Sequence, residues 1–130
     1  MIIGIGIDLI EHERIKNLSN AERFIKKHFT PEEQNLFKTR TNRAYYKTVA
    51  NCFAAKEAFS KALGTGVMGF NLNDIEVLRN EKGKPYINLY NEAKSVFEKN
   101  GGKSIFVSIT DTDVYSSAVV VIEGVWNNIK

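Results

Sequence analysis

Residues 53–66 read Phe53-Ala-Ala-Lys-Glu-Ala-Phe-Ser-Lys-Ala-Leu-Gly-Thr-Gly66 and close the longest helical pattern in the chain. At about 100° per residue, Lys56, Glu57, Ser60, Lys61 and Gly64 fall within an arc of roughly 140°. Val49, Ala50 and Phe53 occupy the same side a turn or two earlier, while Ala54, Ala55, Ala58, Phe59, Ala62 and Leu63 cover most of the remaining circumference. A helix over 43–63 that is apolar on so many sides is a largely buried one, with its polar groups gathered near the C-terminal end. Taken alone, Glu57 and Lys61 read as a surface i,i+4 pair. The apolar surroundings and the glycine exit favour a built site instead.

Working outward, Ile3, Ile5, Ile7 and Leu9 alternate with Gly4, Gly6 and Asp8, the period of a strand over 2–9. Gly4 and Gly6 share a face with Asp8. Two missing side chains beside a carboxylate admit a ligand or another backbone. A carboxylate among apolar neighbours also calls for a partner or a metal ion. The competing reading is that the glycines only accommodate helix packing and Asp8 caps the next helix.

Short helices are predicted over 11–18 and 21–28. Thr30-Pro-Glu-Glu33 has the cap, first-turn proline and N3 acid of a capping box, starting a helix toward Thr39. Strands at 75–79 and 85–89 flank Asn80-Glu-Lys-Gly-Lys84. Leu89, Ala93, Val96 and Phe97 mark an amphipathic helix stopped by Asn100-Gly-Gly102, and strands at 104–110 and 114–123 finish the chain. The order is that of an α+β domain rather than of βαβ units. The last strand, Ala118-Val-Val-Val-Ile122, is apolar on both faces, which suits burial against more than its own small domain.

The chain has 130 residues, 43% of them hydrophobic, enough for one core, and neither repeat nor linker divides it, so a single domain over 1–130 is expected. The apolar start lacks a basic leader and meets Glu11, His12 and Glu13 too early for a signal peptide or membrane span, so a cytoplasmic address is expected. The solitary Cys52 argues against disulfides and reads as a small buried thiol. His12 and His28 read as ordinary surface or helix-end residues. Net charge is +3, and the basic excess lies in residues 1–65, with 11 Lys+Arg against 7 Asp+Glu. Arg14, Lys16, Arg23, Lys26 and Lys27 form one cluster; Lys38, Arg40, Arg43 and Lys47, in an acid-free run, form another. Such surfaces attract an acidic protein or RNA, or are merely solvated.

Gly64-Thr-Gly-Val-Met-Gly69 fits G-x-G-x-x-G but leaves a helix instead of entering one, so a dinucleotide fingerprint is excluded on context. A helix C-terminus repels anions. A phosphate held there needs loop amides, Lys56 or Lys61, and a metal ion; the alternative for this loop is a simple C-cap and turn.

Gly4-Ile-Gly-Ile-Asp8 with Glu11 and Arg14-Ile15, then 53–66, Asp74-Ile-Glu76, Gly83-Lys-Pro85 and Val107-Ser-Ile-Thr110, closely resemble the holo-[acyl-carrier-protein] synthases, the short-chain 4′-phosphopantetheinyl transferases. The resemblance runs nearly end to end. It implies the 4′-phosphopantetheinyl transferase fold, a small antiparallel sheet packed on one long helix and several short helices. It implies Mg²⁺-dependent transfer of 4′-phosphopantetheine from coenzyme A to a serine of apo-acyl carrier protein, in support of fatty acid biosynthesis, with release of adenosine 3′,5′-bisphosphate. By position, Asp8 and Glu57 match the metal ligands. Lys61 matches the group that steadies the leaving phosphate, and Gly64, Thr65 and Gly66 line the phosphate path. Lys84 and Pro85 lie near the nucleotide, and Arg14, Arg23 and Lys27 dock the acidic carrier. Glu57 and a metal-bound water both remain candidates for taking the serine proton. The family assembles as homotrimers with sites between subunits, and neither nucleic acid nor membrane is an expected partner. Three positions depart from the common pattern: Cys52 stands where arginine is frequent, and Phe106 and Asp111 where histidines are. The alternative from another class is a non-enzymatic basic domain that binds RNA or an acidic protein through residues 14–47; it gives no reason for Asp8, Glu57 or the glycine loop.

Overall fold

Strand β1 (Ile2–Glu11) opens a computed structural model that describes residues 1–64 and 69–126. It is followed by α1 (His12–Lys16), α2 (Ala21–His28), α3 (Pro31–Lys38) and α4 (Asn42–Leu63). A 3₁₀ turn (Leu72–Asp74) leads into β2 (Ile75–Arg79) and β3 (Pro85–Leu89), and α5 (Asn91–Lys99), β4 (Gly102–Asp111) and β5 (Tyr115–Gly124) complete the described elements. The predicted elements are all found, most ends moving by one or two residues. The 3₁₀ turn has no counterpart in the sequence reading. Thr30 and Glu33 form the expected capping box at α3, each side chain bonding the other's backbone N–H.

Two antiparallel sheets result: a three-stranded one in the order β1-β5-β4 and the β2-β3 hairpin. In the larger sheet Asp8 lies opposite Ala118, and Ala118 opposite Ile109, so β1 and β4 are edges on either side of β5. Helix α4 lies on this sheet, its Val49, Ala50, Ala54, Ala55, Ala58 and Phe59 fully buried with Val120 of β5 and Ile75 of β2. The glycines of β1 make that contact possible. A Cβ at Gly4 would stand 2.0 Å from the Ala62 carbonyl oxygen, and one at Gly6 would stand 1.9 Å from that of Ala58. Of the two approaches the sequence allowed, backbone is the one found.

The opposite face of the sheet is apolar and uncovered. Ile5, Ile7 and Leu9 are 62%, 64% and 63% exposed, and Phe106 is 53% exposed. In β5, Ala118, Val120 and Ile122 are buried under α4, while Val119 and Val121 are half-buried on the outer face.

Candidate active site

Helix α4 ends at Gly64, whose φ of +80° is a left-handed cap that glycine adopts without a Cβ penalty. One and two turns earlier, Lys61 and Glu57 project toward β1. Lys61 Nζ donates to Asp8 Oδ1 at 3.1 Å and to the Ile7 carbonyl at 3.0 Å. Asp8 therefore does not cap α1, where Glu11 takes the N-cap position without a side-chain bond. The Asp8 carboxylate is mostly buried and the Lys61 ammonium about half exposed, at 16% and 54%. An ammonium has three protons to donate. Two are used here among the described residues, which leaves one for an incoming group.

Glu57 is half-buried and has no hydrogen bond or ion pair among the described residues. Burial raises its pKa above the ordinary carboxylate value, and the charge of Asp8 raises it further, while Lys61 and Arg14 pull the other way. Two carboxylates from separate elements thus crowd one place, and the charge of Asp8 disfavours ionisation of Glu57. No group of three or more metal-ligating side chains occurs among the described residues. Asp8 and Glu57 still fit a hard divalent cation that takes most of its oxygens from substrate and water, because its charge would relieve their repulsion.

Lys56 requires a correction. Although it shares the helical arc with Glu57, it turns into the interior with no exposed surface. Its ammonium donates to Glu33 Oε1 at 2.8 Å, to the Leu72 carbonyl at 2.9 Å and to the Ile75 carbonyl, and it lies over the Phe29 ring. With three acceptors taken, it has no proton for a phosphate. Ser60 is likewise buried and donates to the Lys56 carbonyl. Thr65 and Gly66 lie outside the described residues.

On the other side of α4 is a cavity of about 330 Å³ lined by residues that include Arg40, Asn51, Cys52, Arg79, Gly83 and Asp111. Asp111, at the end of β4, accepts from Asn51 Nδ2 at 3.1 Å and pairs with Lys47 at 3.4 Å. Cys52 is the buried thiol expected, donating to Glu33, and burial pushes its pKa well up. Lys84 is exposed and Pro85 half-buried beside the Gly83 turn of the β2-β3 hairpin. Sequence reasoning singled out Asp111 and the hairpin but missed Arg40, Asn51 and Arg79 as neighbours. Their one local trace is Lys47, Thr48 and Asn51 at helical i, i+1, i+4 spacing.

Arg14, Arg23 and Lys27 are all exposed on α1 and α2. His12 is not a surface residue: it is buried, with Nδ1 against the Asp113 carbonyl and Nε2 against Ser116 Oγ at 2.9 Å. It ties α1 to the β4-β5 turn.

The model of the 4′-phosphopantetheinyl transferase superfamily matches residues 4–118. The chain belongs to this superfamily. The matched span takes in Asp8, Glu57, Lys61 and the cavity on the far side of α4. Among individual relatives, the holo-[acyl-carrier-protein] synthase of Clostridium botulinum (strain Eklund 17B / Type B) is 45% identical over 124 residues, which is 95% of this chain and 98% of that protein. A crystal structure of a holo-(acyl-carrier-protein) synthase from Bacillus anthracis in complex with CoA (3′,5′-ADP) has a TM-score of 0.81 at 34% identity, covering 96% of this chain and 99% of that one. The Neisseria meningitidis holo-[acyl-carrier-protein] synthase reaches a TM-score of 0.86 at 32% identity, over 95% and 99%. Within the matched span, Asp8, Glu57 and Lys61 bring two carboxylates and an ammonium together at the C-terminal end of α4.

Proposed function

We propose that the chain is a holo-[acyl-carrier-protein] synthase: it transfers the 4′-phosphopantetheine group of coenzyme A to a serine hydroxyl of an acyl carrier protein. The observation that carries this reading is the unpartnered Glu57 beside the Asp8–Lys61 pair, at the glycine-capped end of a buried helix. In the reaction the serine Oγ bonds to phosphorus, the bond from that phosphorus to the pyrophosphate bridging oxygen breaks, and adenosine 3′,5′-bisphosphate leaves. The serine proton passes to Glu57 or to water and from there to solvent. Both substrates are anionic, so alignment and charge neutralisation do most of the catalytic work.

Asp8 and Glu57 would hold Mg²⁺, which when bound supplies Lewis-acid polarisation of the pyrophosphate oxygens. Lys61 presents its remaining proton to the charge that gathers on the leaving phosphate. Gly64 lines the path beside it, and Lys84 and Pro85 border the nucleotide. Exposed Arg14, Arg23 and Lys27 dock the acidic carrier.

The working assembly is a homotrimer with sites between subunits. Cys52 and Thr48 lie on α4 about 140–180° around from Glu57 and Lys61, with Asn51 nearer, at about 80–120°. In the trimer a neighbour would bring its cavity to the cation site, which spares one substrate molecule from crossing the helix within a single chain. The bare apolar face of Ile5, Ile7, Leu9 and Phe106 supplies a surface for that association. The enzyme works in the cytoplasm in fatty acid biosynthesis, and no helix of the described residues is long and apolar enough to cross a membrane.

The test incubates the protein with Mg²⁺, coenzyme A and an apo-acyl carrier protein and weighs the carrier. A gain of one phosphopantetheine is expected. An unchanged carrier, with a known synthase working in parallel, refutes the assignment.

A further inference from the structure

Helix α1 is a short element held at few points. It has five residues, far fewer than a helix needs to persist by itself. Its N-cap, Glu11, makes no side-chain cap bond, and its buried residues are His12 and Ile15. The flank that carries Glu13 and Lys16 borders a cavity of about 480 Å³ shared with Arg43 and Tyr46 of α4 and with Asp113 of the β4-β5 turn, so that side is not closed by packing. The His12 backbone N–H donates to the Val114 carbonyl at 2.8 Å and fixes where the helix begins. The imidazole fixes its direction. Nδ1 lies 3.2 Å from the Asp113 carbonyl, which can only accept, so Nδ1 carries the proton; in the neutral ring Nε2 then accepts from the Ser116 hydroxyl at 2.9 Å. Ser116 is fully buried in β5, and this ring is the one partner of its side chain among the described residues. An apolar side chain at position 12 would bury as much surface, but it would supply neither of these two directional bonds.

What α1 presents is Arg14, two positions on and exposed. Its charge is felt at Glu57, so Arg14 stands beside the cation site as well as on the basic docking surface. Resting on the transferase reading, we propose that His12 is a positioning residue for the transfer: by clamping α1 to the β4-β5 turn it holds Arg14 where the acidic carrier meets it, and so brings the carrier's serine to the cation site. His12 itself touches no substrate. It acts through the direction of a helix that has no cap and little packing of its own to keep it in place.

The test measures KM for the carrier at saturating coenzyme A, and KM for coenzyme A at saturating carrier, in wild type, His12→Leu, His12→Gln, Arg14→Met and the double variant His12→Leu/Arg14→Met. In His12→Leu and in Arg14→Met the carrier KM is expected to rise about 5- to 10-fold, the scale of one charge-assisted contact. The KM for coenzyme A and kcat stay within about threefold. The double variant is expected to be no worse than Arg14→Met alone, because the two changes remove one and the same contact. His12→Gln, which reaches Ser116 and keeps that bond, recovers part of the loss. A second measurement does not depend on catalysis: binding of apo-carrier by fluorescence anisotropy at low and raised salt. An exposed charge contact is screened by salt, so His12→Leu and Arg14→Met are both expected to bind with less salt dependence than wild type. Losses that add in the double variant, or an equal rise in the KM for coenzyme A, overturn the clamp in favour of a merely structural role. An unchanged carrier KM in either single variant overturns it outright. Should His12→Leu fail to fold, Ser116→Ala removes the same bond from the buried partner and is expected to give a smaller rise of the same pattern. A wild type that modifies no carrier refutes the transferase reading; a working wild type whose variants depart from this pattern refutes the clamp alone.

Discussion

Replacing Lys56 by methionine separates two roles that this side chain could have. Methionine is of similar length and apolar, so it fills the same space beside Phe29 and removes only the ammonium. The Leu72 and Ile75 carbonyls lose a donor, and the fully buried Glu33 carboxylate loses its counter-charge while keeping the Val77 and Thr30 amides and the Cys52 thiol. Breaking a buried pair by removing one partner costs about 3–5 kcal/mol. Against a typical domain stability of about 5–15 kcal/mol, that is a large fraction. With a urea m-value of about 2 kcal/mol/M, the midpoint should fall by about 2 M. The assay is urea unfolding followed by circular dichroism, with transfer activity measured on the same sample below the transition. Activity per folded molecule should stay within about threefold, since Lys56 touches no substrate. Adding Glu33→Gln to Lys56→Met should cost less than the sum of the two single changes, because the uncompensated charge is gone. A stability loss under about 1 kcal/mol together with loss of coenzyme A binding would refute the structural assignment and return Lys56 to the phosphate path.

Other expectations bear on the sheet, the cation site and the assembly. Gly6→Ala should destabilise by about 1–3 kcal/mol or prevent folding, read by thermal unfolding, because its Cβ would stand 1.9 Å from the Ala58 carbonyl oxygen; a neutral result would mean that α4 does not seat on β1. Asp8→Ala and Glu57→Ala should each abolish transfer with an unchanged circular dichroism spectrum, and full activity in either would remove it from the cation site. Glu57 carries a raised carboxyl pKa, so the folded state binds the proton more tightly than the unfolded chain does. Stability contributed by that group is then present at low pH and is lost as pH rises from the ordinary carboxylate range through the raised value. Glu57→Gln should accordingly melt higher than wild type at neutral pH without metal, and Asp8→Asn should lower the Glu57 pKa in a carbon-13 carboxyl titration; a lower melting temperature in the first or an upward shift in the second would contradict the crowding of the two acids. The assembly is checked by sedimentation equilibrium, where a trimer mass is expected; a monomer that modifies the carrier at the full rate would refute sites shared between subunits.

Most of the architecture was legible because it depends on local patterns. The two-residue period of β1, the Thr30 capping box, the glycine at 64 and the Asn80–Lys84 turn each name their own element. The fate of Lys56 was not legible. A helical projection places Lys56 and Ser60 within the same arc of about 140° as Glu57 and Lys61, and nothing local tells which edge of that arc faces solvent. The deciding partner, Glu33, is 23 residues upstream and was readable only as the acid of a capping box. The same limit hid the cavity, whose lining residues come from the α3–α4 connection, α4, β2, the hairpin turn and β4. His12 was misjudged for a related reason: its two partners lie more than 100 positions away.

The division of α4 into two working sides follows from the size of the domain. The helix must bury its alanines against the sheet and its Lys56 side against α3 and β2, so polar groups can emerge only at the two seams, over β1 and over β4. The β4 seam holds a cavity of about 330 Å³, enough for part of a nucleotide. The β1 seam lies at the helix C-terminus, where the backbone dipole opposes an anion. Its carboxylates worsen that field, so on the transferase reading this seam would take phosphate only with a cation held there together with Lys61. The β4 seam differs in kind: Arg40 and Arg79 border its cavity, and its carboxylate, Asp111, is engaged by Lys47 and Asn51. On that reading the two seams serve one substrate, and the bare Ile5, Ile7 and Leu9 face would bring them together from different chains.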